Sequence, residues 1–391
     1  MTASRRALTG QALVVAVGLS MVATGCSSKS STSGSGSTSS TAAATSAATS
    51  AAASATSGAP AATGSAAPAA TSNGTAQVTA SASAAAGGKC TATALGYPKV
   101  SIKGTKVGFS QSEPETAAFR IAESKSMKDE AAKQGAIYLH TDANSKTDQQ
   151  VTDIKSLINQ GAKLIIVAPI TSDGLQPAFD AAKAAKVPVV TVDRLVNATA
   201  CTDYMTFIGS NFVSQGKRAA DAMIKATGGK GKVAILLGSS GNGVTTDRTS
   251  GFVDELKTAP GLTIVAKQTA NFARTDGQTV TASLLQAHPD ITAIYGENDE
   301  MGIGAHAAIL AAGKKPGKDI KIISVDGTHD AVALMVKGEY NGVIESNPRF
   351  GPLAFKALAD FESDTSVPAK IIIQDHEYTP ANAKANLANA F

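Results

Sequence analysis

The sequence predicts an α/β protein made of two doubly wound parallel sheets. From residue 106 onward, short β-branched runs alternate with amphipathic helical windows, and this series occurs twice in succession. The part of the chain with a globular composition is roughly 300 residues long, which is enough for two lobes of ordinary domain size. Alternating strands and helices at this spacing are typical of βαβ units around a parallel sheet.

The first series contains five runs with strand character. They are 106–110, 137–141, 164–168, 188–192 and 204–208. Helical windows lie between them, for example at 116–133 and 146–160. In the second of these windows Val151, Ile154 and Leu157 fall on one face, as a helix packed on a sheet requires.

The second series repeats this arrangement and ends in a short tail. Its predicted strands are 232–238, 263–267, 291–295, 321–325 and 342–345. Its predicted helices are 246–257, 277–287, 301–312 and 331–337. The tail adds a helix at 351–362 and a strand at 370–374. Parallel sheets bind ligands beyond the carboxyl ends of their strands, so the polar residues that follow each strand are the candidates for a site.

The N-terminus has the features of an export signal. Arg5 and Arg6 precede a mostly apolar stretch at 12–23, which is short for a membrane span. Small residues directly before Cys26 resemble a lipobox, and they predict that 1–26 is a lipoprotein signal peptide whose Cys26 is lipidated. The protein is then expected outside the cytoplasm, anchored to the outer face of the cell membrane. The alternative is an ordinary secretory peptide with an incidental cysteine, since Ala23 stands where Leu is more usual, and the Sec and twin-arginine routes both remain open.

A low-complexity linker follows, predicted at 27–95. It consists largely of Ser, Ala, Thr, Gly and Pro and lacks the large apolar side chains that offset ordering entropy. As a flexible coil of about 60 residues it would reach roughly 40–45 Å. Cys90 and Cys201 are the two cysteines left if Cys26 is lipidated, and an exported protein favours their pairing as a disulfide, the alternative being two unpaired thiols.

Composition and motifs exclude several classes of function. The 35 Lys and Arg stand among 31 Asp and Glu without a dense basic run, which argues against nucleic acid as a partner. The five His are scattered, and the chain lacks HExxH, GxSxG and GxxxxGK[ST] motifs. The sequence therefore predicts a protein that is not an enzyme and needs neither a metal nor another cofactor.

Polar and aromatic residues cluster after the predicted strands. The candidate ligand-binding residues are Gln111, Phe119, Arg120, Asn144, Asp193, Arg194, Arg248, Phe272, Asn298, Asp326 and Asn347. Carboxylates accept hydrogen bonds from adjacent hydroxyls, guanidinium groups present a fixed fork of donors, and Asn both donates and accepts. Phe can lie against the C–H face of a sugar ring. The set suits a small, neutral, polyhydroxylated ligand, although each residue alone could be a helix cap, a core side chain or a surface pair.

These residues stand in short motifs that resemble those of the periplasmic sugar-binding proteins of the ribose-binding type, and within that family the galactofuranose-binding members of ABC importers. The resemblance covers 106–387, and its motifs include Gly108-Phe-Ser-Gln111, Asp193-Arg194, Phe272-Ala-Arg274, Asn298-Asp-Glu-Met301 and Val325-Asp-Gly327. This chain departs from the galactofuranose type at two positions that bear on which sugar it binds. Phe119 stands where that type has Trp, and Asn271 stands where it has Asp.

The resemblance implies a type I periplasmic binding protein fold with a hinge of three segments. Lobe one is expected at 104–210 plus 348–370, and lobe two at 211–347 plus 371–391, with crossings near Ser210, Asn347 and Lys370. It also assigns a ligand role to Asp193 and Arg194 of lobe one and to a second-lobe set of Arg, Asn, Asp and Phe. That second-lobe set is Arg248, Asn298, Asp326 and Phe272.

The expected function is that of a solute-binding lipoprotein. It would bind a monosaccharide, galactofuranose-like or another aldose, between its lobes as a monomer and deliver it to ABC permease subunits. A receptor for a polyol or inositol, or a sensor that feeds a signalling protein, is the alternative. A transcription regulator of the same fold would need a helix-turn-helix before residue 106, where this chain has the export signal and the linker.

Overall fold

The structure is a computed structural model that describes residues 90–391 and the backbone of 80–83. The predicted signal peptide, Cys26 and most of the predicted linker lie outside these residues. The strands are β1 (Ala80–Ser83), β2 (Lys106–Gln111), β3 (Ile137–Asp142), β4 (Leu164–Val167), β5 (Val189–Val192), β6 (Phe207–Ser210), β7 (Gly231–Leu237), β8 (Leu262–Thr269), β9 (Ala293–Gly296), β10 (Lys321–Asp326), β11 (Gly342–Glu345), β12 (Lys370–Ile373) and β13 (Glu377–Tyr378).

Helices connect most of these strands. They are α1 (Ala92–Leu95), α2 (Ala118–Lys133), α3 (Thr147–Asn159), α4 (Gln176–Ala184), α5 (Phe212–Thr227), α6 (Gly243–Leu256), α7 (Arg274–Ala287), α8 (Asp299–Ala311), α9 (His329–Val336), α10 (Gly351–Glu362) and α11 (Ala383–Asn386), followed by a 3₁₀ turn at Leu387–Asn389. Within the described ranges, none of these helices combines the length and the apolar character that a membrane span needs.

The strands form two sheets with the same winding. The sheet of lobe one has the order β1-β12-β6-β5-β4-β2-β3, and the sheet of lobe two has the order β13-β11-β10-β9-β7-β8. All neighbours pair in parallel except β1 with β12 and β11 with β13. In each lobe the first strand of the series lies between the second and the third, so the strand order reverses there and opens a crevice at the carboxyl ends. The predicted fold class is confirmed.

Each sheet is covered by apolar side chains on both faces. In lobe one, Phe109 and Phe355 belong to one buried cluster, and Leu157 and Phe179 belong to the other. In lobe two, Met301 lies in one cluster, and the stacked rings of Phe252 and Tyr295 lie in the other, with centroids 4.1 Å apart. Burial on both faces explains why strands such as β4 (Leu-Ile-Ile-Val) read as continuous apolar runs.

Helices α5 and α6 of lobe two pack at unusually short distance because glycines face each other. A Cβ added at Gly216 would lie 2.2 Å from the carbonyl oxygen of Arg248, and one added at Gly251 would lie 2.1 Å from that of Val213. The backbones can approach this closely only without side chains at both positions. This contact fixes the position of Arg248, a candidate ligand-binding residue.

The chain crosses between the lobes three times. The first crossing follows β6, the second follows β11, and the third follows β12. The expected third crossing near Lys370 is placed too early, because β12 pairs with β6 along Lys370–Ile373 and keeps these residues in lobe one. The crossing lies at 374–375 instead.

Part of the predicted linker is ordered against lobe one, which corrects the boundary at 95. Residues 80–83 pair antiparallel with β12, and Thr91 caps α1 by accepting a hydrogen bond from the Ala94 N–H. Cys90 is fully buried, and its Cα lies 5.3 Å from that of Cys201, within disulfide reach. Composition alone hides this order, since the strand pairing uses the backbone and not the side chains.

Candidate ligand-binding site

A cleft between the lobes brings together eight of the eleven predicted ligand-binding residues. Its inner part is lined by Glu113, Ala117, Phe119, Arg120, Asp193, Arg194, Val244, Arg248, Phe272, Asn298 and Asp326. Glu113, Ala117, Phe119 and Arg120 follow β2, while Asp193 and Arg194 follow β5. The others follow β7, β8, β9 and β10 of lobe two. The residues converge because both sheets turn their carboxyl ends toward the cleft.

Arg120 is the centre of the charged half-site of lobe one. Its Nε lies 2.8 Å from Glu113 Oε2, and its Nη1 lies 2.6 Å from Glu123 Oε2 and 2.8 Å from Asp193 Oδ2. Burial alone would lower the pKa of the guanidinium, but Asp193, Glu113 and Glu123 outweigh it and raise that pKa well above its ordinary value. Arg120 therefore stays charged and holds three carboxylates in place.

Arg194 completes this network from the other side of Glu113. Its Nη2 lies 2.8 Å from Glu113 Oε1, and its Nη1 donates to the carbonyl oxygens of Pro169 and Ile170 at 3.3 Å. Burial would raise the pKa of Glu113, but Arg194 and Arg120 lower it to about 2. The Glu113 carboxylate thus aligns two guanidinium groups at the edge of one cleft.

Glu123 sits behind Arg120, away from the cleft. Burial raises its pKa to about 7 despite the attraction of Arg120, and the nearby charge of Asp193 adds to the rise. Gln111 donates to Glu123 Oε2 at 3.0 Å and to the Ser124 hydroxyl at 3.1 Å. The predicted ligand residue Gln111 is therefore fully buried behind the half-site and supports it, without lining the cleft.

Lobe two places the guanidinium of Arg248, on α6, at the inner cleft. Its Nε donates to Gln215 Oε1 at 2.9 Å, its Nη1 donates to the carbonyl oxygen of Glu297, and its Nη2 lies 3.7 Å from Asp326 Oδ1. The guanidinium also stands 5.7 Å from the ring centroid of Phe212. Arg248 is held mainly by neutral groups and faces a single carboxyl at a longer distance.

The carboxyls around Arg248 are buried, and burial raises their pKa values. Burial raises the pKa of Asp326 well above its ordinary value, although Arg248 lowers it in part. Burial also raises the pKa of Asp299 to about 6 and that of Glu297 to about 7. Asp299 accepts from the N–H groups of Gly327 and Thr328 at 2.9 and 2.7 Å and so shapes the turn that follows Asp326.

Asn298 combines two roles at the end of β9. Its Oδ1 accepts from the Met301 N–H at 2.9 Å and caps α8, and its Nδ2 donates to the Phe272 carbonyl oxygen at 3.0 Å. The amide therefore fixes both the start of a helix and the loop that carries Phe272. The helix-cap alternative raised by the sequence is correct for Asn298, and the same side chain also lines the cleft.

Two phenylalanines flank the inner cleft, one from each lobe. The Arg120 guanidinium lies 4.9 Å from the Phe119 ring centroid, and the Arg194 guanidinium lies 6.0 Å from the Phe272 ring centroid. A Cβ at Gly238 would stand 2.0 Å from the Phe272 ring, so glycine at this position leaves room for the ring. Both rings are half-buried and line the inner cleft, and Phe119 also packs against Phe350 and Phe391 at centroid distances of 6.3 and 5.9 Å.

Three lining residues have backbone conformations that side chains other than glycine rarely adopt. The φ angles are 64° at Asp193, 59° at Phe272 and 143° at Asp326. Such conformations cost about 1–3 kcal/mol each and cluster at functional sites, where surrounding contacts hold them. The strained backbone at these three residues indicates that the fold holds their side chains at the inner cleft at a cost in stability.

The other two predicted ligand residues lie outside the inner cleft. Asn144 is exposed after β3, where its Nδ2 donates to the Asp142 carbonyl oxygen at 3.2 Å. Asn347 is buried at the second crossing, and its Nδ2 lies 3.4 Å from Glu345 Oε1. Both follow strands as predicted, but β3 is an edge strand and β11 ends at the hinge.

A hydrogen-bonded group at the crossings was not anticipated. Asp375 accepts from the Ser210 hydroxyl at 3.1 Å, the Asn347 N–H at 3.4 Å and Gln215 Nε2 at 2.9 Å. One carboxyl thus contacts all three crossings, and Gln215 continues the chain of hydrogen bonds to Arg248. Burial raises the pKa of Asp375 to about 6. The sequence offers no signal for this group beyond its position directly after β12.

Most of the folded part of the chain is similar to a known protein family. Residues 107–361 match the model of the periplasmic binding protein domain. The chain belongs to the periplasmic binding protein family. Members of this family bind solutes outside the cytoplasm and are not enzymes, so the predicted family, the extracytoplasmic location and the non-enzymatic class are confirmed, while the lipid anchor stays a prediction.

Relatives share most of the folded part. The galactofuranose-binding protein YtfQ of Escherichia coli K12 is 35% identical over 286 residues, which cover 72% of this chain and 90% of YtfQ. The ribose import binding protein RbsB of Bacillus subtilis 168 is 35% identical over 265 residues, 66% of this chain and 83% of RbsB. The arabinose ABC transporter binding protein of Shewanella sp. ANA-3, solved with α- and β-L-arabinofuranose, aligns with a TM-score of 0.70 and 34% identity over 73% of this chain and 95% of that one.

Proposed function

We propose that this protein is the sugar-binding component of an ABC importer and that it captures a furanose-like monosaccharide between its lobes. The observation that carries this is the inner cleft. There, Arg120, Asp193 and Arg194 of lobe one face a second-lobe set between two phenylalanine rings. That second-lobe set is Arg248, Asn298 and Asp326.

The chemistry of this set suits a neutral ligand rich in hydroxyls. The lobe-one carboxylates and guanidinium groups neutralise each other at distances of 2.6–2.8 Å, so they offer directed donors and acceptors without an excess of charge. A hydrogen bond to a charged group contributes about 1.5–3 kcal/mol, which lets a few contacts fix the orientation of a small sugar. The phenylalanine rings supply the apolar contact for its C–H face.

The relatives support a sugar and favour the furanose form. YtfQ is named for galactofuranose, RbsB for ribose, and the Shewanella protein was solved with arabinofuranose. All three are named as binding or import proteins, and one is named as part of an ABC transporter. A binding protein that releases its sugar to a permease needs contacts from both lobes, because closure is then driven by ligand.

A binding screen tests the ligand class. Calorimetry and thermal shift on the purified chain would compare D-galactose, L-arabinose, D-ribose, methyl furanosides and myo-inositol. We expect saturable binding of at least one aldose and a preference for furanosides. Binding of inositol alone would replace the sugar with a polyol, and no binding of any of these would contradict the proposal.

An uptake experiment tests the role in import. Deletion of the gene should abolish uptake of the sugar that the screen identifies, and the wild-type gene should restore it. Normal uptake with a lost transcriptional or motility response would instead assign the protein to a sensor.

We also propose that Cys26 is lipidated and anchors the protein to the outer face of the cell membrane. The small residues before Cys26 and the apolar stretch at 12–23 support this. Cells fed labelled palmitate should label the wild-type protein, and Cys26→Ser should remove the label and release the protein from the membrane fraction. Label that persists in Cys26→Ser would contradict lipidation at this residue.

A further inference from the structure

The cleft continues outward from the sugar site into a larger chamber. We call it the outer chamber, and its volume is about 860 Å³, against about 60 Å³ for the inner cleft. It is lined by Glu113, Pro114, Thr116, Ala117, Arg120, Ser145, Thr147, Ile170, Thr171, Ser239, Ser240, Asn271, Phe272, Ala273, Arg274, Thr275 and Glu300. Four residues line both spaces, so the two are continuous; they are Glu113, Ala117, Arg120 and Phe272.

The chamber is present although the lobes already touch. Asn242 of lobe two donates to the Ile170 carbonyl oxygen of lobe one at 3.5 Å, and Val244 packs in an apolar cluster of lobe one. The Arg194 guanidinium of lobe one stands 6.0 Å from the Phe272 ring of lobe two. The outer chamber therefore lies beside existing contacts between the lobes and is lined by residues of both.

The two volumes decide how much ligand the cleft can hold. Counted as the space open to water centres, one water needs about 10–15 Å³, so the inner cleft holds roughly four to six waters and the outer chamber several tens. A single ring seated on Arg120 and Asp193 would fill the inner cleft and project into the outer chamber. Several hundred Å³ would still remain, and the chamber alone lies in the upper part of the range of small-molecule sites, about 300–1,000 Å³.

The chemistry of the outer chamber differs from that of the inner cleft. Lobe one contributes the hydroxyls of Thr116, Ser145, Thr147 and Thr171, and lobe two contributes those of Ser239, Ser240 and Thr275 together with the Asn271 amide. Its charged residues form ion pairs, either with one another or with residues next to the chamber. Glu113 is held by Arg120 and Arg194, and Arg274 is held by Glu300 at 2.6 Å and by Asp330 at 3.1 Å. A lining of hydroxyls and paired charges suits a neutral polar group better than an anion.

We propose that the outer chamber is a second subsite that takes a neutral, hydroxylated substituent of the bound sugar, such as a second sugar ring joined through a glycosidic bond. The protein then binds glycosides and short oligosaccharides in addition to the monosaccharide. This inference rests on the proposed sugar-binding function. It extends that function outward from the inner cleft, whose residues would hold the terminal ring.

Calorimetry with three probes tests the proposal: D-galactose, methyl galactofuranoside and a galactofuranosyl disaccharide. We expect the disaccharide to bind at least as tightly as the methyl furanoside. Binding of the furanoside without binding of the disaccharide would overturn the second subsite and leave the proposed function standing. No binding of any probe would count against both, and the wider sugar screen described above would then decide whether the proposed function survives with another sugar.

Two substitutions that fill the chamber sharpen the result. Ser240→Trp fills it from the loop before α6, and Thr275→Trp fills it from the first turn of α7; both positions are exposed. Each should weaken binding of the disaccharide at least tenfold and change binding of the methyl furanoside less than threefold. Ser101→Trp, at an exposed position outside both linings, is the matched control and should change neither. Equal losses for both ligands in both variants would contradict a separate subsite.

Discussion

The charges of the cleft are paired at contact distance in lobe one, whereas in lobe two the facing Arg248 and Asp326 stand 3.7 Å apart. Arg120 alone contacts three carboxylates, and Glu113 has its pKa lowered to about 2. In lobe two, burial dominates and raises the pKa of Glu297 to about 7. Lobe one is thus preorganised by ion pairs, while lobe two holds Arg248 through neutral hydrogen bonds that lead to the hinge.

Removal of Arg120 should cause the largest loss of stability. Arg120→Met leaves Glu113, Glu123 and Asp193 buried without their shared partner, and loss of one member of a buried ion pair costs about 3–5 kcal/mol. Urea unfolding at pH 7 measures the change. The loss should shrink toward pH 5, because carboxyls that lack Arg120 take up protons more readily.

Arg274→Met is the matched control for this change. Arg274 also contacts two carboxylates, Glu300 and Asp330, but its side chain is 45% exposed against 6% for Arg120. Exposed pairs contribute about 0–1 kcal/mol, so this variant should unfold close to the wild type. Equal losses of unfolding free energy in the two variants would show that the buried ion pairs of Arg120 contribute no more to stability than the exposed ion pairs of Arg274.

Reduction of the predicted disulfide should destabilise lobe one before lobe two. Cys90 and Cys201 are 111 residues apart, and loss of a native disulfide typically costs about 2–5 kcal/mol. Hydrogen exchange of the double variant Cys90→Ala/Cys201→Ala should increase in the sheet of lobe one and change little in lobe two. Intact mass before and after alkylation under non-reducing conditions checks whether the bond forms, and two free thiols would contradict the pairing.

Glu297 should make lobe two less stable at higher pH. Its pKa is raised from 4.5 to about 7, so the protonated form stabilises the fold fully below about 4.5, and this contribution is lost as the pH rises through about 7. The free energy of unfolding should fall by up to roughly 3 kcal/mol across this window. Glu297→Gln keeps an acceptor for the Gly238 N–H and places an amide near the Thr249 hydroxyl, which donates to Glu297 in the wild type, and it should reduce the slope of the curve.

Glu255→Gln on α6 is the control for this pH profile. It removes a carboxyl from the same lobe and leaves the contacts of Glu297 in place. We expect its profile to follow the wild type. A Glu297→Gln variant that loses as much stability as the wild type between pH 5 and 8 would assign the effect to other groups, above all Glu123, Asp299 and Asp375.

The smallest effect concerns the facing carboxyls of the two lobes. Asp193→Ala and Asp326→Ala should each weaken sugar binding at least tenfold, or about 1.4 kcal/mol, because each removes an acceptor from the inner cleft. Asp193→Ala should also lower stability, since Arg120 loses a partner at 2.8 Å. Calorimetry with the sugar from the screen measures affinity, and unchanged affinity in both variants would rule out these site assignments.

Much of the fold was predictable because its pattern is local. Burial on both faces makes strands such as β4 and β5 nearly continuous apolar runs, which are visible in the sequence. Because the strands are parallel, the residues that follow them lie at the same edge of the sheet. This is why Asp193, Asn298 and Asp326 were found. The bounds were less certain where turns interrupt the pattern, as at β6, which begins at Phe207 and not at residue 204.

The roles of several site residues could not be predicted, because they depend on contacts between residues that are far apart in the sequence. Gln111 was predicted to follow the strand at 106–110 but is the last residue of β2, and its side chain turns toward Glu123 of α2 and away from the cleft. Asn347 lies two residues after β11, in the second crossing, where Asp375 contacts its backbone. Glu113 was not among the predicted ligand residues, because its importance comes from contacts with two arginines, one of them 81 residues away.

The position of β1 has a mechanical consequence. Residues 80–83 join the edge of the lobe-one sheet through β12, and Cys90 is buried in the same lobe. A pull on the chain before β1 would enter lobe one as shear along the β1–β12 pair, and β12 leads directly into the third crossing at 374–375. This edge strand therefore couples tension in the preceding chain to the hinge as well as to lobe one.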